Sequence, residues 1–514
     1  MLAIEKHLSK FADYCGLKTG GERGCDPMEE FSAKIDAATG GATPLADVLL
    51  YDSFDDDSGL AFHKDGSCGF FFEISPLVGS SAGLEKNLTL FFNDELPEGG
   101  YLQFLIIAGH DTSSILDMWE SGRTCGGPFL ERITAYRRDF IEKCGRDFEN
   151  AGDGRLARNF RTFVTYSTND SGTEKGLKKI IKFKRKLENK LRAEKFSPVL
   201  CKADDLLQIN REIMQMDINL DGATKPARHN MARHDILNSL SNQMLSPLSP
   251  VRIEEEQINH LATGLVTKVF HPSELPESFS LSRMISLLGE GDKTVPARFI
   301  ISYTIANNLG ASGTSAMKDQ GNRSIHASEM SYTRNDLVAR EEARDWREVL
   351  AIHKKGEQFL TESMQVSITA PKEEIEIAEE VLKSLWNAQD WKLAISGNIQ
   401  LLGMLSMLPM MQASYYQSLK FFKLTRVAMS GEVVAKLPLQ GEWKGVWKSG
   451  VLLMGRRGQL FCWNPFERVG GGGNYNCTIV APSGAGKSFN LAETATSMIA
   501  QDVAMFIMDI GGSY

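Results

Sequence analysis

Eight consecutive residues, Ala481-Pro482-Ser483-Gly484-Ala485-Gly486-Lys487-Ser488, put small side chains, two glycines, a lysine and a hydroxyl in the order that suits a phosphate-binding loop. Backbone N–H groups converge on an anion only where the chain can come close, and Gly484 and Gly486 permit that approach. A helix that opens at such a loop points the positive end of its dipole at the same anion. Ser483, Gly484, Ala485, Gly486, Lys487, Ser488 and Phe489 are therefore expected to bind ATP. Lys487 would reach the β- and γ-phosphates as the catalytic cation, and Ser488 would ligate Mg²⁺. Ala481 stands where the strict pattern has glycine.

Such a loop needs a strand to deliver it and a helix to carry it away. The run Cys477-Thr478-Ile479-Val480 predicts the strand. Residues Phe489 to Gln501 predict the helix, with Leu491, Ala492, Ala495, Met498 and Ile499 at helical spacing, and Val503 to Met508 predicts a second buried strand ending at Asp509. Phosphoryl transfer further requires a metal-holding acid and a residue that orients the attacking water. In this kind of fold that acid arrives later in the chain, so Asp509 is read as a structural or switch residue. The remaining parts are expected beyond Tyr514, as in the front part of a longer protein cut inside its motor domain. Negligible turnover and weak Mg-ATP binding are expected of residues 1–514 by themselves.

Composition narrows the rest. The 514 residues are 42% hydrophobic, enough for about three globular units of ordinary size. A formal net charge of -8 argues against a surface built to coat nucleic acid. Eight cysteines at 15, 25, 68, 125, 144, 201, 462 and 477 contain no C-x-x-C pair, which predicts reduced thiols and no metal centre. His229 and His234 are five apart, not the four that place two ligands on one helix face. The start, Met1-Leu-Ala-Ile-Glu-Lys-His, is charged and leads into no long apolar run, so no secretory signal is expected. Leu393 to Leu419 is charge-free and rich in methionine. Gly397, Asn398, Gln400, Gly403, Pro409, Gln412 and Gln417 interrupt it, which predicts a buried segment and not a membrane span.

Along the chain, residues 1–44 predict a partly ordered leader, 45–275 an α+β domain, 276–430 a second α+β region and 431–514 the start of a phosphate-loop domain. In the first domain, Gly59 to Lys64 and Ser67 to Ile74 flank Asp65-Gly66 and predict a hairpin with a type I′ turn. Leu84, Leu88, Phe91 and Phe92 predict a helix, Tyr101 to Ala108 and Asn159 to Ser167 strands, and Phe129 to Lys143 and Leu177 to Leu191 further helices. The last of these is strongly basic around an apolar stripe, which suits contact with anionic lipid or nucleic acid and, more often, a helix solvated on one face and packed on the other. In the second region Phe299 to Ile305 predicts a strand, a long helix runs through Trp346, Val349, Leu350 and Leu360, and Gln365 to Thr369 is a strand. Glu373 to Trp386 as helix and Trp391 to Ser396 as strand complete a βαβ-type crossover. The glutamates 373, 374, 376, 379 and 380 crowd the start of that helix, where its dipole favours them without any catalytic role. Gly450 to Gly455 and Gln459 to Trp463 predict a hairpin around Arg456-Arg457-Gly458, and Gly470 to Gly473 a flexible approach to the loop strand.

Leu60 to Leu77 (LAFHKDGSCGFFFEISPL), Leu408-Pro409, Leu460 to Phe466 (LFCWNPF), Thr478 to Phe489 (TIVAPSGAGKSF) and the ending Asp509-Ile510-Gly511-Gly512-Ser513-Tyr514, in this order, resemble the large cytoplasmic ATPases of conjugative type IV secretion systems, and most closely those of F-type pilus assembly. The resemblance implies α+β N-terminal domains followed by the first part of an α/β phosphate-loop NTPase domain of RecA-like type. It also implies a cytoplasmic ATPase that powers pilus assembly and the export of DNA and protein, peripheral at the inner membrane through partner components, and a homo-hexamer when full length. Direct nucleic-acid binding is not indicated. The alternatives left open are a DNA translocase or coupling protein of the ring-motor group, and a non-catalytic nucleotide-binding assembly subunit.

Overall fold

The computed structural model describes residues 48–109, 111–146, 156–170, 172–214, 239–244, 251–261, 263–330, 336–446, 448–467, 475–482 and 484–508. The leader 1–44, His229 and His234, the tetraglycine Gly470 to Gly473, Ser483 and the stretch from Asp509 to Tyr514 lie outside the described residues. The chain forms two compact units, one from residues 1–107, 161–287 and 297–440, the other from 108–160, 288–296 and 441–514.

Strands Tyr51–Asp55 (β1), Leu60–His63 (β2) and Cys68–Ile74 (β3) open the first unit, followed by helix Ala82–Glu95 (α1) and strand Gly100–Gly109 (β4). Ser113–Ser121 (α2) and Pro128–Arg146 (α3) belong to the second unit. Asn159–Thr168 (β5), Glu174–Ala193 (α4), Val199–Leu200 (β6), Ala203–Ile213 (α5) and Leu240–Met244 (α6) come next. Val251–Ile253 (β7), Ile258–His260 (β8), Leu265–Glu274 (β9) and Arg298–Asn307 (β10) lead to two helices, Gly310–Glu329 (α7) and Leu337–Lys354 (α8). Phe359–Pro371 (β11), Ile375–Asn387 (α9), Lys392–Ile395 (β12), Gln400–Met407 (α10), Gln412–Phe421 (α11), Arg426–Met429 (β13) and Ser430–Ala435 (α12) complete it. The second unit then adds Val451–Met454 (β14), Leu460–Trp463 (β15) and Lys487–Ala500 (α13).

Among the described residues, thirteen strands join one sheet in the order β1-β2-β3-β5-β4-β10-β11-β9-β8-β7, with β6 beside β3, β12 beside β9 and β13 beside β11. The pairs β2–β3, β3–β5, β10–β11 and β9–β11 are antiparallel, so the unit is α+β as its element order implies. Successive side chains of a strand point to opposite faces, and here both faces are covered. Phe70 of β3 stacks 5.3 Å from Tyr166 and lies 6.4 Å from Phe183 of α4, which in turn is 6.2 Å from Phe91 of α1. Phe71 points the other way, into a core with Phe163 and with Leu405, Met407 and Tyr415 of α10 and α11. That is why β3 reads as an unbroken aromatic run and not as an alternation.

The charge-free segment is buried, as its interruptions imply. The Gln400 carboxamide accepts from the Val269 amide at 2.7 Å and donates to the Ser396 carbonyl at 2.8 Å. Gln412 donates to the carbonyls of Ser406 and Leu408, and Tyr51 donates its hydroxyl to the Pro409 carbonyl at 2.5 Å. The polar residues thus satisfy backbone groups in a dry environment where charge would be unfavourable. No helix among the described residues is long and apolar enough to cross a membrane.

Four expectations need correction. The Asp65-Gly66 hairpin forms, but not through a type I′ turn. His63 pairs across to Ser67, leaving the three-residue loop Lys64-Asp65-Gly66, with only Gly66 at positive φ (+82°). Asp65 selects this form by accepting from the Ser67 amide and hydroxyl at 3.0 and 2.8 Å. Leu360 belongs to β11, because α8 stops at Lys354 and Gly356 (φ +112°) turns the chain. The glutamates opening α9 do more than answer its dipole: Glu376 and Glu379 each meet the buried Lys268 ammonium at 2.7 Å. Finally, 477–480 and 503–508 are not strands, since neither has a ladder partner among the described residues and their large apolar side chains are exposed. An apolar run becomes a strand only where a neighbouring strand takes its backbone groups.

The crossover also has a specific form. β11 and β12 are each antiparallel to β9, hence parallel to one another, with α9 between them in sequence and β9 between them in the sheet. On the basic helix α4, Ile180, Phe183, Leu187 and Leu191 are buried, while Lys178, Lys179, Lys190 and Arg192 pair with Glu174, Asp170, Glu194 and Glu188. Packing on one face and local pairing on the other account for these residues, while Lys175, Lys182 and Arg185 stay exposed with no ion pair among the described residues.

Burial pushes two histidines of this unit, His63 and His260, down to about 4. Both are neutral in the folded chain at pH values where an unfolded histidine titrates. Between the ordinary value near 6.5 and about 4 the unfolded chain therefore binds more protons, and stability must fall as pH falls. The thermal midpoint should drop between about pH 6.5 and about pH 4.5, and His260→Gln should flatten that slope; a pH-independent midpoint in this window would contradict the burial.

Candidate nucleotide site

The loop geometry is set locally. Gly484 and Gly486 both hold left-handed backbone conformations (φ +79° and +80°), which side chains disfavour, and Gly486 is the residue from which α13 starts. The Ala485 amide donates to the Pro482 carbonyl at 3.3 Å, closing the turn, and the Asn490 amide donates to the Gly486 carbonyl at 2.9 Å as the first bond of the helix. The amides of Lys487, Ser488 and Phe489 precede that bond and have no partner within the helix. Residues 484–490 are exposed, the first turn carries no acid, and Lys487 makes no ion pair among the described residues. N–H groups without a partner in the helix, a helix N-terminus and an ammonium with no ion pair among the described residues match a triphosphate in charge and donor type, and Ser488 supplies a hydroxyl for a magnesium ion beside it. The residues present fit ATP with Mg²⁺. Ser483 and Asp509 lie outside the described residues, and among the described ones no cluster of metal-ligating side chains occurs.

What fixes the helix lies at its far end. Ser497, Met498 and Ala500 are buried, but Leu491 and Ile499 of the expected stripe stay 40% and 43% exposed, and Phe489 76%. Glu493, the one acid on α13, meets the Arg137 guanidinium of α3 at 2.7 Å and accepts from the Ser497 hydroxyl at 3.0 Å. Arg137 also donates to the Leu452 carbonyl of β14 at 2.6 Å. The Cys125 amide caps the helix by donating to the Ala500 carbonyl at 3.0 Å. Behind these contacts Leu116, Trp119, Ile141, Leu452, Leu460 and Cys462 form the core of the second unit. Arg137 and Glu493 were not legible as partners, because nothing local to either residue names the other.

In the first unit, Ser67, His63 and Asp65 assemble without the order a nucleophile needs. His63 Nδ1 is 2.7 Å from Ser67 Oγ, but Asp65 binds the same hydroxyl and leaves the outer imidazole nitrogen without a partner. The serine is 1% exposed, so the group is structural. A second buried cluster escaped sequence reasoning altogether: Glu362 of β11 accepts from the Tyr303 hydroxyl and from the Lys436 ammonium, which also meets Glu432 at 2.8 Å. Burial and the adjoining Glu362 carboxylate hold the Tyr303 phenol well above its ordinary value. Its one sequence signal is a carboxylate inside a strand that is otherwise buried along its length.

The Arg137–Glu493 pair is mostly shielded, with 25% and 16% of the side chains exposed, so it is worth roughly 1 kcal/mol. Arg137→Ala and Glu493→Gln should each speed amide exchange across residues 487–500 by about fivefold while leaving exchange in β10 and β11 unchanged; unaltered exchange in both variants would show that the pair does not hold the helix.

A profile of the TraC protein family matches residues 45–412. No curated protein matches the chain. The family match takes in the hairpin segment from Leu60 to Leu77 and the Leu408-Pro409 turn and stops short of the loop at 481–488, which rests on its own residues and geometry. It covers well over half of the chain, and with the segments that carry the resemblance to conjugative type IV secretion it leads to one conclusion: the chain belongs to the TraC family.

Proposed function

We propose that the chain binds ATP and Mg²⁺ through residues 483–489 and serves as a cytoplasmic ATPase that energises pilus assembly and export in a conjugative type IV secretion system. The observation that carries this reading is the pairing of two left-handed glycines with an exposed helix start and a Lys487 that has no ion pair among the described residues. Family membership supplies the setting of pilus assembly. Lys487 would hold the β- and γ-phosphates and stabilise charge that grows on them in the transition state, and Ser488 would ligate the metal. A RecA-like sheet, a homo-hexamer and docking on inner-membrane components belong to the same proposal.

Lys487→Ala removes a phosphate contact and touches no core, so the variant should fold normally and abolish pilus assembly and transfer in a complementation assay. Wild-type transfer would end the motor reading. The purified chain should bind Mg-ATP measurably, and Lys487→Ala should weaken that binding by about tenfold or more. Nucleotide binding and transfer that both depend on Lys487, with no ATP turnover, would favour the non-catalytic assembly subunit instead.

A further inference from the structure

β11 keeps β10 on one side from residue 361 to 369, but its other side is shared by two strands in series, β13 against 359–362 and β9 against 366–371. Between them Ser363, Met364 and Gln365 have a ladder partner in β10 alone. This fork opens a cavity of 190 Å³, below the range of drug-sized pockets and of a size for a ligand of few heavy atoms. The fork is held open by Arg426 of β13, whose Nη2 donates to the carbonyls of Pro272 and Ser273 at 2.8 and 2.9 Å. Among the described residues no side chain takes the rest of its guanidinium fork. Lys423 lines the same cavity from the turn after α11, exposed and at φ +58°.

Charge at this place is one-sided. Glu362 is the one carboxylate lining the cavity, and its two oxygens are engaged by Tyr303 and Lys436. Among the described residues neither Arg426 nor Lys423 has a carboxylate within ion-pairing distance. Met364, Leu275 and Trp391 supply an apolar wall. An apolar wall with two unmatched cations beside it suits a small amphipathic anion: the cations fix an acceptor group and the wall takes its hydrocarbon part.

We propose that the fork between β9 and β13 is a binding site for an organic carboxylate, its head group on Arg426 and Lys423 and its short apolar body along Met364, Leu275 and Trp391. The site is independent of the nucleotide loop. The carboxylate belongs either to a free small molecule or to the C-terminus of a peptide, since both present the same two acceptors on an apolar body.

Isothermal titration of the purified chain with hexanoate, hexanamide, acetyl-Gly-Leu with a free carboxylate, and its amide separates these cases. At least one of the two carboxylates should bind saturably within about 10 mM, a range that reaches millimolar affinities, and neither amide should. Tighter binding of the peptide acid would identify a chain terminus as the source, and tighter binding of hexanoate a free small molecule. Lys423→Gln should weaken binding by about threefold and Arg426→Gln by about tenfold or more. Arg426 also ties backbone, so Lys423→Gln, an exposed change that leaves the fold intact, keeps the test decisive. No saturable binding of either carboxylate, equal binding of the amides, or unchanged affinity in Lys423→Gln would overturn the proposal.

Discussion

The first unit depends on one buried amide. Gln103, fully inaccessible in the middle of β4, donates to Ser302 Oγ of β10 and to the Met407 carbonyl at the end of α10, both at 2.8 Å, and accepts from Thr165 Oγ1 of β5 at 2.8 Å. Thr165 in turn accepts the Met410 amide at 3.2 Å. Three strands and the turn between two helices therefore share a single polar node. A one-residue slip of any strand would leave this amide unmatched, at about 1–3 kcal/mol per stranded group, and would turn its apolar neighbours to the wrong face. The hydrophobic effect supplies the bulk of the stabilisation, and the node adds a polar constraint on the same register.

With the register set, the other features follow in order. α10 and α11 are seated on the inner face, where Leu402, Leu405, Met407, Met411 and Tyr415 fill the core and charge is excluded. β11, at 13 residues, is long enough to carry β13 and β9 one after the other, and the interval between them cannot close. Polar groups collect there for that reason. A buried ion pair is tolerated only when its remaining hydrogen-bonding sites are met, and Tyr303 and Glu432 meet those of Glu362 and Lys436.

Much of this was legible where a residue type dictates its own conformation or surroundings. The close turn at Gly484 and Gly486, the helix after Lys487, the arms of the hairpin around Asp65-Gly66 and the burial of Leu393 to Leu419 are of that sort. The rest depends on partners that no local pattern names. Val503 to Met508 has the composition of a strand, yet Phe506 is 89% exposed and no ladder among the described residues takes its backbone. Leu360 fits a helical period as well as an alternating one, and only Gly356 and the pairing with Ala428 decide between them. The grouping of 108–160 and 288–296 with 441–514 comes from packing and not from sequence order.

The candidate nucleotide loop differs from Gln103 in where its order comes from. Its turn is imposed by two glycines and one helix start, all within a few residues, so its local shape depends on no distant partner among the described residues. Its position in the second unit is another matter, because it rests on the far half of α13, through Met498, the Cys125 cap and the Arg137–Glu493 pair. Contacts of that number and exposure are weak beside a core in which each buried large side chain is worth roughly 1.5–3 kcal/mol. The loop is thus preformed in shape and loosely held in place. Ligand-binding elements are commonly drawn from this low-stability end of a structure, and a ligand that engages the first turn of α13 stabilises the whole helix by mass action. Arg137 is the residue through which such stabilisation reaches α3 and β14, since its guanidinium contacts Glu493 and the Leu452 carbonyl together.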